Sequence, residues 1–174
     1  MKNISIKIAS FFVLLGMVYS ACCAEMKPAE NANQPIEIIM EAPGKSQGQL
    51  YSSVKSWIAE TRTAELSAND ADKDSGRIVL KGEAPFPCDG FMDCRLKSGT
   101  NIKFSLRIDT KDGKIRMIFS NLIKSNPSTA LHAGYGDVDI VAQGDIDAAK
   151  SGAQALSNEL LTYATKQSAS SKTW

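Results

Sequence analysis

Histidine is almost missing from this 174-residue chain, with His132 the only one. A hydrolase that activates serine or cysteine needs a base beside its nucleophile, most often a histidine oriented by an acid, so such chemistry has a single candidate base here. His132 stands in a loop before Gly134-Tyr135-Gly136-Asp137, where an exposed histidine with no catalytic task is the plainer reading. A phosphate-binding glycine loop is missing as well, because Gly134-Tyr135-Gly136 is not followed by Gly, Lys, Ser or Thr in the places that loop requires. Long apolar runs are also lacking. The longest, Ile8 to Val18, falls short of the roughly 20 residues a membrane helix needs.

That run has a different meaning in its context. Lys2 and Lys7 precede it and the small residues Ser20-Ala21-Cys22-Cys23-Ala24 follow, the order of a secretory signal. Residues 1–24 are therefore expected to be removed, placing the protein in the periplasm or outside the cell, or leaving it tied to a bacterial membrane. Two processing routes are open. Cleavage after Ala24 frees Glu25, whereas lipoprotein processing would acylate Cys22, for which Ser20-Ala21 fits and Tyr19 replaces the usual leucine. Two or three acyl chains would hold the protein firmly on a membrane. Glu25 to Pro35, rich in Ala, Asn and Pro, reads as a flexible tether.

The 150 residues that remain suit one domain. Loss of Lys2 and Lys7 leaves 18 basic against 19 acidic residues, a net charge of −1 that argues against nucleic acid and against electrostatic attraction to anionic lipid. Of the four cysteines only Cys88 and Cys94 fall in the domain. In an oxidising compartment the pair reads as a disulfide, since a zinc site needs about four ligands and His132 is distant in sequence.

Residue patterns predict the elements. Ile36 to Met40 is a strand ended by Pro43-Gly44. Ser46 and Gln49 form a capping box, and Leu50, Val54, Trp57 and Ile58 then stack on one helical face. A tryptophan in such a stripe is core more often than pocket lining. Ala64–Ala68 and Arg77–Glu83 are strands joined by the polar turn Asn69 to Gly76. Set against a calcium loop starting at Asp70, the turn has Ser75 and Lys81 where Gly and Glu are needed.

The sharpest local pattern is a hairpin. Ile102, Phe104, Leu106 and Ile108 alternate with polar residues, Asp112-Gly113 makes a two-residue turn, and Lys114 to Leu122 returns. This turn fixes the register, with Lys111 opposite Lys114, Ile108 opposite Met117, Leu106 opposite Phe119, and Asp109 opposite Arg116 on a solvent face. Lys124–Gly136 reads as loop and Asp137–Ala142 as a short strand. Asp145 is expected to cap a last helix with Ala149, Ala153, Leu156, Leu160 and Tyr163 or Ala164 on one face, the domain closing near residue 167 before a frayed tail. Asp137 and Asp139 alternate along a strand, and Asp145 and Asp147 suit a helix start, which explains their clustering without a metal.

Several of these segments resemble a known family: Ala42-Pro43-Gly44-Lys45-Ser46, Leu50-Tyr51, Trp57 to Glu60, Ser75-Gly76-Arg77-Ile78, Lys81-Gly82 and Lys111-Asp112-Gly113-Lys114. Over about residues 36–122 the chain is similar to an exported bacterial family of unknown function with a TBP-like fold. The resemblance implies an α+β domain with a curved antiparallel sheet and helices packed on one face, which agrees with the order β-α-β-β-β-β-α and the two helices read from the residues. No catalytic or binding residues can be transferred from it, the residues themselves point to no metal or cofactor, and the TBP-like shape carries no function by itself. The segment Pro85–Ser98 is where the chain departs from the pattern.

That segment holds the candidate contact site. Asp89-Gly90 is a turn signal that would bring Cys88 and Cys94 together, and Phe91 and Met92 inside the small ring either fold back onto the sheet or are presented to a partner, a ligand or a membrane. The sequence thus points to a non-catalytic envelope module binding an unknown envelope protein or small ligand, touching membrane only through an anchor. The alternative is a hydrolase around His132 and nearby carboxylates.

Overall fold

The computed structural model describes residues 34–61, 66–126 and 136–170. Its elements are β1 (Ile36–Glu41), α1 (Gln47–Thr61), β2 (Leu66–Asp72), β3 (Arg77–Pro85), α2 (Gly90–Leu96), β4 (Asn101–Lys111), β5 (Lys114–Asn126), β6 (Gly136–Asp139) and α3 (Gln143–Ser170). The strands make one antiparallel sheet in the order β1-β5-β4-β3-β2, with β6 pairing the far end of β5. The two long helices lie together on one face of it. Trp57 Nε1 donates a hydrogen bond to Glu159 at 3.1 Å, and the Tyr163 hydroxyl donates to Glu60.

Alternation along the strands builds the core between sheet and helices. Ile78 and Leu80 of β3, Ile102, Phe104, Leu106 and Ile108 of β4, and Ile115, Met117 and Phe119 of β5 are buried on the helix side. They meet Leu50, Val54 and Trp57 of α1 and Ala149, Ala153, Leu160 and Ala164 of α3, the stripes that helical spacing picks out. Phe104 and Phe119 pack edge to face at 5.6 Å between ring centroids.

The β4–β5 register has each of the four expected pairs. Asp109 and Arg116 share the sheet face away from the helices, whose arginines are 40–50% exposed, but Asp109 itself is only 8% exposed. Arg116 and Arg77 flank it on the neighbouring strands and Arg107 lies two residues along its own strand, so three guanidinium groups cover one carboxylate.

Other boundaries move for identifiable reasons. β2 runs to Asp72 because Ala71 and Asp72 pair with Ile78 and Arg77 beyond a bulge after Ala68, shrinking the turn to Lys73–Gly76. Residues 64 and 65 lie outside the described residues. β5 continues past Leu122 through a second bulge, where Asn121 takes a positive φ of 52° and the side-chain faces exchange. Leu122 and Lys124 thereby turn to the helix side, and the chain pairs on with β6 at Gly136–Asp139 rather than at 137–142. α3 starts at Gln143 and continues to Ser170, past the expected closing point at 167. α2 falls in a segment whose pattern suggests only a loop, so the element order is β-α-β-β-α-β-β-β-α.

Candidate functional site

The two ends of the sheet are built differently. At one end three turns lock together. The capping box forms as expected, Ser46 N–H donating to Gln49 Oε1 at 3.0 Å and Gln49 N–H to Ser46 Oγ at 3.4 Å. Gln47 N–H donates to Asp112 Oδ1 at 2.7 Å, and Gln47 Nε2 donates to the Asp74 carbonyl at 3.1 Å. Ala42 N–H donates to the Gly113 carbonyl, and Gly113 N–H to that of Lys45. Gly76 has no room for a side chain, since a Cβ there would stand 2.6 Å from the Thr110 carbonyl oxygen. The segments Ala42–Ser46, Ser75–Ile78 and Lys111–Lys114 are thus one structural knot. They hold the start of α1 on two hairpin turns.

The opposite end carries α2. Cys88 and Cys94 are bonded, S–S 2.04 Å, closing a ring around the start of the helix. Asp93 Oδ2 accepts from the Asp89 N–H at 2.8 Å and from Lys97 Nζ at 2.8 Å. The Lys97 hydrogen bond, followed by that of the Asp89 amide, holds the Asp93 carboxyl below the usual carboxylate range. Phe86 anchors the segment. Its ring is buried with Lys97 Nζ 5.4 Å and Lys124 Nζ 4.7 Å from its centroid, and its N–H donates to the Thr100 carbonyl at 2.9 Å. Lys124 in turn pairs with Asp145 at 3.1 Å, tying this end of the sheet to the first turn of α3.

With the ring held this way, Phe91 is 76% exposed, Met92 65% and Leu96 79%, the three most exposed large apolar side chains among the described residues. Spacing of four puts Phe91 beside Arg95 and Met92 beside Leu96. Leu96 belongs to the same surface, although the sequence pattern does not single it out. The i, i+4 spacing and the Asp89/Asp93 pair are the signals for a short helix there.

Elsewhere the acidic segment divides among separate partners. Asp137 receives Lys103 at 2.9 Å, and hydrogen bonds from Ser125 and then Lys103 lower its pKa. Asp145 takes Lys124, and Asp147 accepts from Gln143 Nε2 at 2.8 Å. No three metal-ligating side chains come together among the described residues. Trp57 is fully buried core. His132 and Cys22, like the tether up to residue 33, lie outside the described residues.

Two of the hollows among the described residues border the sheet. A cleft of about 660 Å³ separates the first residues of β1 from β6, lined by Ile36, Ile38, Asn121, Asp139 and Lys150 among others. An apolar hollow of about 190 Å³ lies beneath α3, over Phe104, Phe119 and Leu122, with Pro87 and Gly152 at its wall. Neither gathers an acid, a base and a nucleophile from the described residues.

An antiparallel sheet with its helices on one side is a TBP-like α+β architecture, as in a TBP-like protein from Parabacteroides distasonis ATCC 8503 that matches at a TM-score of 0.56 and 14% identity, over 79% of this chain and 96% of that one. The chain belongs to the family described as "Domain of unknown function (DUF4468) with TBP-like fold", whose model matches residues 37–124. A DUF4468 family protein from Bacteroides ovatus ATCC 8483 matches at a TM-score of 0.43 and 15% identity, over 63% of this chain and 66% of that one. No curated protein matches.

Proposed function

We propose that the chain is an exported, non-catalytic interaction module of the bacterial envelope, free in the periplasm or tied through Cys22, and that it makes its contact through α2. One observation carries this reading: Phe91, Met92 and Leu96 stand exposed on a helix of seven residues that a disulfide, a buried phenylalanine and two lysines hold in place. Leaving three large apolar side chains in water does not help the domain fold, and the surrounding structure fixes them there. The signal-like residues 1–24 and a disulfide-forming pair both fit an oxidising compartment.

Affinity capture from envelope fractions tests it. The parent protein should retain a partner that the triple variant F91S/M92S/L96S loses, while both melt at the same temperature. Equal capture by the two proteins would count against α2 as the contact.

A further inference from the structure

Chain entry and the apolar tip lie at the same end of the sheet. β1 runs antiparallel to β5 with Ile36 opposite Phe119, so the chain preceding Ile36 comes from the Leu122–Asn126 end of β5. There Ser125 pairs with Asn101, and Asn101 with Pro85, three residues before Cys88. Phe119 and Ser125 are about 20 Å apart along the strand at ~3.3 Å per residue. The stretch Cys23–Pro35 reaches about 43 Å when extended. An acyl group on Cys22 and the exposed face of α2 are therefore able to meet one surface.

We infer that α2 docks on a phospholipid bilayer, with Phe91, Met92 and Leu96 seated at the boundary between headgroups and acyl chains; the inference rests on the reading of α2 as the contact of an envelope module. The patch suits insertion: three exposed apolar side chains offer on the order of 400 Å² on one short helix, at the end of the sheet from which the preceding chain enters.

The charges fit the same occupant. Arg95, beside Phe91, is exposed and has no acidic partner among the described residues, leaving its guanidinium free to remain in the headgroup layer while the apolar side chains enter. Asp93 is turned to Lys97 and the Asp89 amide. Asp89, Asp93, Arg95 and Lys97 sum to zero, so the tip meets neutral headgroups without repulsion and attachment comes from apolar insertion rather than from a basic patch.

The test uses the full chain carrying C22A, isolated after export so that no acyl group contributes, and vesicles of phosphatidylethanolamine and phosphatidylglycerol. Cosedimentation should fall at least about fivefold in F91S/M92S/L96S, with unchanged melting, and should change little when salt is raised to about 0.5 M. As a second measurement, F91W should gain, relative to the parent, a blue-shifted emission quenched by lipids brominated near the glycerol end. Equal sedimentation of parent and triple variant, or an added emission in F91W that brominated lipid leaves unquenched, would overturn the bilayer. Where vesicles are ignored but the parent captures an envelope protein that the triple variant loses, the bilayer is wrong and the module reading stands. Loss of neither removes both.

Discussion

Replacing Asp109 by alanine is expected to weaken the fold well beyond what an exposed ion pair contributes. The carboxylate accepts from Arg116 Nε at 3.1 Å, from the Arg116 terminal nitrogen at 2.7 Å and from Arg77 Nε at 3.1 Å. Arg107 Nε stands 3.2 Å away, buried and out of line for a hydrogen bond. Alanine would leave the three guanidiniums facing one another across a gap. Hydrogen bonds to charged groups contribute about 1.5–3 kcal/mol each when desolvated, but these arginine side chains are 40–50% exposed and water would recover much of that loss. A net cost of about 2–3 kcal/mol follows for D109A, against under about 1 kcal/mol for a surface pair.

Urea unfolding at neutral pH reads this as a midpoint lowered by about 1–2 M, with the slope unchanged. The pH dependence supplies an independent check. Burial alone would raise the Asp109 carboxyl, but hydrogen bonds from Arg116 and Arg77 and the charge of Arg107 outweigh it and hold the group below its ordinary value. A carboxyl depressed in the folded state stabilises fully above its unfolded pKa of about 3.9 and loses that contribution as pH falls toward the lower folded value. D109N should therefore flatten the acid limb of the stability profile. A loss below about 1 kcal/mol, or an acid limb identical in D109N and parent, would refute the cluster as a source of stability.

Gly76→Ala should cost about 3 kcal/mol, combining a left-handed backbone with a forced contact, whereas Gly44→Ala, also at positive φ but with open space around it, should cost only about 1 kcal/mol; similar thermal shifts for the two would dismiss the crowding at Thr110. Removing the disulfide in C88A/C94A releases a seven-residue ring and should lower stability by about 2.4 kcal/mol on the chain-entropy model. Chemical denaturation measures it, and a double variant as stable as the parent would mean that Phe86 and Lys97 hold the segment unaided.

Much of the scaffold is legible in the sequence because separate signals agree on it. Apolar alternation, the Asp112-Gly113 turn and cross-strand pairing all require one register for β4 and β5, and that register is present. The capping box and the apolar stripe likewise agree on α1. The errors share a cause, which is tertiary context. The alternation of the strand does not mark Asp109 as buried, since its cover combines Arg107 on its own strand with Arg77, 32 residues away, and Arg116 on the next strand. Asn121 reverses the faces of β5 through a backbone conformation, and only the step from Phe119 to Leu122 hints at it in the pattern. α2 is too short for periodicity to stand out, and its disulfide and the Phe86 anchor hold it more than propensity does. For the site, Phe91, Met92 and the cysteine pair are visible in the sequence, while their exposure and the inclusion of Leu96 require the helix.

The most direct test of α2 as the contact is photocrosslinking in the producing cell, with a photoreactive amino acid in place of Phe91 and, as control, in place of Lys55, an exposed residue on α1. Irradiation should give a covalent adduct, of lipid or of a defined envelope protein, at position 91 and none at position 55. No adduct at 91, or the same adducts at both positions, would contradict the account.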